Sequence, residues 1–207
     1  MKKNIVCLVA SIGVSYGSQL ANFIETFEGF ESTAKPCPAG YETIGFGHKL
    51  EAGEKFGTLS RDQAVALLQR DIATRGNIRP YIHINLEPHQ YDALTSIAFN
   101  CGVSAIAQST LLKKVNSGEL AESLEHFGHW RKGGGKVLNG LVKRRFAEAF
   151  LFADKVMDPD GSLPSQQWGM PMAITDENWN LLRPAYKQEA VRAYNAYYGD
   201  AMRGHLY

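Results

Sequence analysis

The sequence predicts an α+β fold, with a β-hairpin early in the chain and helices through most of the rest. Three features lead there. Lys35-Pro36-Cys37-Pro38-Ala39-Gly40 holds two prolines and a glycine, which forbid a continuing helix. Tyr41-Glu42-Thr43-Ile44-Gly45-Phe46-Gly47-His48 is punctuated by glycine and alternates as a short strand does. After it, apolar residues recur at helical spacing in several separate segments.

The totals set the limits. A chain of 207 residues fits one domain, or one domain with an appendage. An apolar share of 44% is ample for a packed core. A net charge of +1 argues against a general nucleic-acid binder. Three cysteines, Cys7, Cys37 and Cys101, are an odd number and do not make a disulfide framework.

In chain order, Met1-Lys2-Lys3 is basic, and no charged residue occurs from Asn4 to Ile24. Ile5 to Ala10 are apolar, and Ser11, Gly13, Ser15, Gly17 and Ser18 dilute the second half of the stretch. A cleaved signal peptide fits, with Gly13-Val14-Ser15 at the cut. A membrane span of about 20 strongly apolar residues fits less well, because the stretch is too polar. A soluble amphipathic first helix is the third reading. Residues 1–24 are therefore expected to serve export.

Leu20, Phe23, Ile24 and Phe27 obey the i, i+3, i+4, i+7 rule, so a helix leads into Glu28. Ser60-Arg61-Asp62-Gln63 is a capping box that opens the helix of Ala64, Leu67, Leu68 and Ile72. Pro80 closes that region. Pro88 suits a first helical turn, and Tyr91, Leu94, Thr95 and Ala98 face inward. Leu120, Ser123, Leu124 and Phe127 repeat the stripe, and so do Val142, Phe146, Ala149 and Phe150. Lys143, Arg144 and Arg145 beside that last stripe are expected as a solvated face. Asp158-Pro159-Asp160-Gly161 is turn-forming and marks a boundary. The aromatic-rich extension 158–207 is expected to be helical and to pack back on the domain before it. The sharper alternative is a surface that stacks on sugars.

Four blocks, in order over roughly 130 residues, carry a family resemblance. Glu28, Cys37 and Thr43 stand in an E-x8-C-x5-T spacing that runs on into Thr43-Ile44-Gly45-Phe46-Gly47-His48. This resembles the phage-type lysozymes, glycoside hydrolase family 24, in which a Glu, an Asp (a Cys in some members) and a Thr hold these positions. Phe99-Asn100-Cys101-Gly102 resembles the family's F-N-x-G helix end. Ser109-Thr110-Leu111-Leu112 resembles its S-T-L segment. Trp130, with Gly133 to Arg145, resembles its W…GG…GL-x-x-RR close. The resemblance implies a lysozyme-like two-lobed fold, with a small β-hairpin lobe, a long connecting helix and a mostly helical second lobe. It places the catalytic domain at residues 25–157.

The activity it implies is that of a peptidoglycan hydrolase, a muramidase. It would cleave the β-1,4 bond between N-acetylmuramic acid and N-acetylglucosamine, most simply as a phage endolysin. A secreted bacterial lysozyme and a non-catalytic peptidoglycan-binding protein are the alternatives. No cofactor, metal or nucleic acid is implied, the partner is the glycan strand, and a monomer is expected. Glycoside cleavage needs an acid for the leaving oxygen and a group on the other face for water or the developing cation. Glu28 is the candidate acid, and its aromatic neighbours Phe27 and Phe30 suggest an apolar setting that keeps it protonated. Cys37 stands where most relatives have Asp, and a thiol is mostly protonated near neutrality unless a cation lowers its pKa. Thr43 is the candidate second holder of the attacking water.

Phe99, Asn100 and Thr110 match positions lining the family's sugar cleft, and the resemblance makes His48 structural, buried and charge-paired. The positive charge of residues 143–145 gives them a second expected use, holding the chain near an anionic wall. Some relatives carry a weakly apolar, Gly- and Ser-rich signal-arrest-release anchor. For this chain that implies export to the periplasm with transient tethering to the inner membrane. In some of those relatives a disulfide blocks the catalytic cysteine, using a cysteine two residues after the Glu. Phe30 stands there in this chain, so the remaining partners for Cys37 are Cys7 and Cys101; Cys101 is expected as a buried free cysteine, and a Cys7–Cys37 bond is weighed against three free thiols.

Overall fold

The computed structural model describes residues 16–36 and 40–153. The expectations for Cys7, Cys37 and residues 158–207 lie outside the described residues.

Helix α1 spans Tyr16–Glu25 and buries Leu20, Ala21, Phe23 and Ile24 in the core. It therefore runs through the end of the segment expected to serve export. Three short antiparallel strands come next, in the order β1-β2-β3: Glu31–Pro36, Glu42–Gly45 and His48–Lys49. The strand β1 has no apolar alternation and was not expected. Its pairing holds it, with Lys35 opposite Thr43 and Pro36 opposite Glu42, and the Leu59 N–H donates to the Ser32 carbonyl at 2.8 Å. The turn from β2 to β3 needs glycine: Gly45 and Gly47 have φ of 66° and 82°. Phe46 between them is buried, with Phe30 stacked 5.5 Å away.

The capping box forms as expected. The Gln63 N–H donates to Ser60 Oγ at 3.2 Å, and the Ser60 N–H donates to Gln63 Oε1 at 2.8 Å. It opens α2, Arg61–Arg75, which buries Ala64, Leu67, Leu68 and Ile72. Helix α3, Pro88–Cys101, has its proline in the first turn. Its run from Asp92 to Ala98 is buried on every side, because α1, α2, α4 and α7 all pack against it. Gly102 stops α3 at φ 91°, a value that strains other residues.

The second lobe continues through α4 (Val103–Ala107), α5 (Thr110–Asn116) and α6 (Leu120–Phe127). A two-strand ribbon, β4 (Lys132–Gly133) and β5 (Lys136–Val137), precedes α7, Asn139–Ala153. Val142, Phe146 and Ala149 on α7 are buried, as the stripe predicts. Helix α7 packs on α3 and α6. The small sheet and the helical bundle are the two lobes that the sequence predicts. Among the described residues no helix is long and apolar enough to cross a membrane.

Candidate active site

A cleft of about 430 Å³ opens where the end of α1 meets α3 and α7. Glu28, Asn100, Leu138, Lys143 and Arg144 are among its lining residues. Glu28 sits just past α1, where a tight turn carries the chain on. The Phe27 and Glu28 N–H groups both donate to the Ile24 carbonyl, at 3.0 and 3.2 Å. The Glu28 side chain is 25% exposed.

The strongest partner of Glu28 is a cation rather than an aromatic ring. Arg144 Nη1 pairs with Glu28 Oε1, and the guanidinium lies 5.6 Å from the centre of the Phe27 ring. Phe30 is exposed and turned onto Phe46. The apolar setting expected around Glu28 is thus corrected to a mixed one. Oε2 lies toward the β2–β3 turn: a Cβ added at Gly47 would stand 3.8 Å from it. The turn therefore passes within van der Waals reach of the acid.

The expectation of a solvated face at residues 143–145 is also corrected. Arg144 and Arg145 are buried, and only Lys143 remains half-exposed in the cleft. The reason is Glu148, which is fully buried on the same side of α7. Arg144 Nε donates to Glu148 Oε1 at 3.1 Å, and Arg145 Nη2 donates to the same oxygen at 2.9 Å. Ser96 Oγ on α3 donates to it at 2.7 Å. Arg145 Nε lies 2.8 Å from Glu148 Oε2, close enough for an ion pair but off the line of a hydrogen bond.

Arg145 also donates to Asn100 Oδ1 at 3.1 Å and to Cys101 Sγ at 3.0 Å. Burial alone would weaken the hold of Arg144 on its proton. The Glu148 and Glu28 carboxylates outweigh that and raise its pKa, so Arg144 is always charged. Burial pushes the Cys101 thiol up, against the pull of Arg145. The sequence holds one clue to the network that was missed: a lone acid inside the apolar run Phe146-Ala147-Glu148-Ala149-Phe150.

Thr43 is half-buried in the middle strand, opposite Lys35 and Lys49. Cys37 directly succeeds the last residue of β1 and lies outside the described residues. Asn100 lines the cleft. Phe99 packs half-buried against the core, and Thr110 is an exposed first residue of α5. Among the described residues no group of three or more His, Cys, Asp and Glu side chains is arranged to hold a metal ion.

His48 is buried, 2.8 Å from Asp71 Oδ2 through Nδ1 and 2.9 Å from Glu54 Oε2 through Nε2. The Glu51 N–H donates to Glu54, and with His48 beside it the Glu54 pKa falls from 4.5 to about 2. A depressed carboxylate adds stability above its unfolded pKa and loses it as pH falls through the folded one. The Glu54 contribution is thus complete above pH 4.5 and fades toward pH 2. Glu54→Gln should melt lower than the parent at pH 7, with the gap narrowing at pH 3. Thermal melts at both values measure it, and equal gaps would show that Glu54 does not titrate in this way.

The two lobes, the cleft where the end of α1 meets α3 and α7, and the acid at its edge define a lysozyme-like fold. Residues 25–148 match the family model described as phage lysozyme. The chain belongs to the phage lysozyme family. An endolysin of Acyrthosiphon pisum secondary endosymbiont phage 1 is 39% identical over 136 residues, covering 62% of this chain and 91% of that one. A SAR-endolysin of Enterobacteria phage P21 is 35% identical over 92 residues, covering 44% of this chain and 56% of that one. The chain spans between about half and two thirds of the length of other curated relatives it matches. Among solved structures, the endolysin of Escherichia coli O157:H7 phage FAHEc1 superposes with a TM-score of 0.61 at 30% identity. That match covers 71% of this chain and 97% of the other.

Proposed function

We propose that this chain is an endolysin of glycoside hydrolase family 24 type, hydrolysing the β-1,4 bond between N-acetylmuramic acid and N-acetylglucosamine in peptidoglycan. One observation carries the reading: a carboxylic acid at the edge of a sugar-sized cleft, held by a buried guanidinium inside the family-matched segment. Glu28 is the general acid. Arg144 holds Oε1, which leaves Oε2 to carry the proton to the leaving oxygen. Cys37 and Thr43 are assigned to the attacking water, and Asn100, Phe99 and Thr110 to the glycan. The catalytic domain is assigned to residues 25–157, and residues 158–207 are assigned to pack on it. No cofactor takes part.

Export to the periplasm, with tethering by residues 1–24 before release, draws support from the relatives named SAR-endolysins. The role this gives the chain is lysis of a host by a phage. The test is to digest purified peptidoglycan with the protein and identify the fragments by mass spectrometry. Fragments ending in a reducing N-acetylmuramic acid support the reading, and an untouched wall overturns it.

The cysteine at position 37 favours one rival, a wall-binding protein without catalysis. A thiol supplies less base than a carboxylate near neutrality. If it replaces the carboxylate, Cys37→Asp should clear permeabilised cells at least as fast as the parent. Cys37→Ala should then slow clearing by roughly 10²-fold or more, the scale of a lost acid–base group. Clearing by Cys37→Ala at the parent's rate removes the residue from the chemistry.

A further inference from the structure

We propose that Glu148 is a positioning residue for the reaction: it binds both buried arginines and thereby offsets their positive charge beside Glu28. The inference rests on Glu28 being the acid. Glu148 itself never reaches the cleft and acts through Arg144.

Four ionisable groups form one cluster: Arg144, Arg145 and Glu148 are buried, and Glu28 stands partly exposed at its cleft end. Their formal charges cancel when Glu28 is ionised. An acid catalyst must instead hold a proton, and then the cluster carries one net positive charge. Two guanidiniums without a second carboxylate would make that state still more costly. Glu148 supplies the second carboxylate, with Oε1 receiving Arg144, Arg145 and Ser96. The spacing of 144, 145 and 148 on one helix side makes this sharing possible.

Glu148 pairs with both arginines of the cluster. From α3 the cluster meets Ser96, Asn100 and the thiol of Cys101, with buried Asp92 one turn before Ser96. Helix α6 also packs on α7, with Ser123, Leu124 and Phe127 buried, Glu122 exposed and His126 half-exposed. From the turn after α6 comes the Trp130 carbonyl, which accepts from Arg145 at 3.4 Å.

The experiment is the pH profile of wall hydrolysis, kcat and KM separately, for the full chain and three variants. The alkaline limb reports loss of the acid's proton. Glu148→Gln keeps the shape and removes the charge. Its alkaline limb should move to lower pH by about one unit, the scale of a charge a few ångströms away. At neutral pH kcat should fall and KM should change little.

Arg145→Gln removes a positive charge from the same cluster, so its limb should move to higher pH. A merely structural Glu148 would lower the melting temperature and scale activity equally at every pH. If Glu148→Gln does not fold, Arg145→Gln carries the test alone. Limbs that stay in place in every variant that folds overturn the inference. Glu28→Gln separates the two levels: activity near the parent's defeats the assignment of the acid, whatever the limbs do.

Discussion

Glu28→Gln should cost wall hydrolysis about 10²–10⁴-fold, the usual cost of losing a general acid. The amide keeps the shape of the side chain and has no proton to transfer. It also leaves Arg144 with Glu148 as its remaining carboxylate partner. The lost charge-assisted bond costs about 1–3 kcal/mol of stability. A domain with a margin of about 5–15 kcal/mol stays almost wholly folded after such a loss. Unfolding therefore cannot account for a hundredfold fall, and the two effects separate cleanly. Circular dichroism should show native helix content, while turbidity clearing of permeabilised cells shows almost none of the parent's rate. Clearing near that rate by the purified variant would remove Glu28 from the mechanism.

Arg145→Met should be strongly destabilising. Arg145 is wholly buried, and its guanidinium meets Glu148, Asn100 and Cys101. Methionine fills similar space and leaves Glu148 to Arg144 and Ser96. Breaking a buried pair by removing one partner costs about 3–5 kcal/mol, because the other charge remains. That is a large share of the whole margin. Urea denaturation should show the midpoint falling with an unchanged slope. A midpoint within error of the parent's would mean that the pair contributes nothing net. Replacing Arg145 and Glu148 together by apolar residues should restore part of the loss, since no buried charge is then left alone.

The sequence spoke clearly where one local rule was enough. Ser60 and Gln63 specify a helix start by themselves, and each helical stripe specifies its own buried side. It spoke less clearly where the partner was far away. Glu31-Ser32-Thr33-Ala34-Lys35-Pro36 lacks apolar alternation, and pairing with β2 makes it a strand. Arg144 and Arg145 look like any exposed basic pair until α3 brings Ser96 and Asn100 against them. Composition alone assigns both arginines to the surface, because buried arginine is rare without partners. The resemblance carried by the spacing of Glu28, Cys37 and Thr43 singled out position 28, and the structure puts that carboxylate in the cleft lining. Its cationic partner was not legible, because the two are joined only in the folded state.

That last contact spans almost the whole family-matched segment. Glu28 and Arg144 are 116 residues apart. At a synthesis rate of about 5–20 residues per second, Arg144 is made about 6–23 s after Glu28. During that interval α1 and the small sheet already exist as chain, but the acid has no guanidinium to orient it. A ribosome stalled before Asn139 would yield a product with every other assigned catalytic residue and no α7. If Glu28 is the acid proposed above, hydrolytic competence arrives with α7, the last described helix, so recovery of activity during refolding should time the docking of α7 more directly than recovery of helix signal.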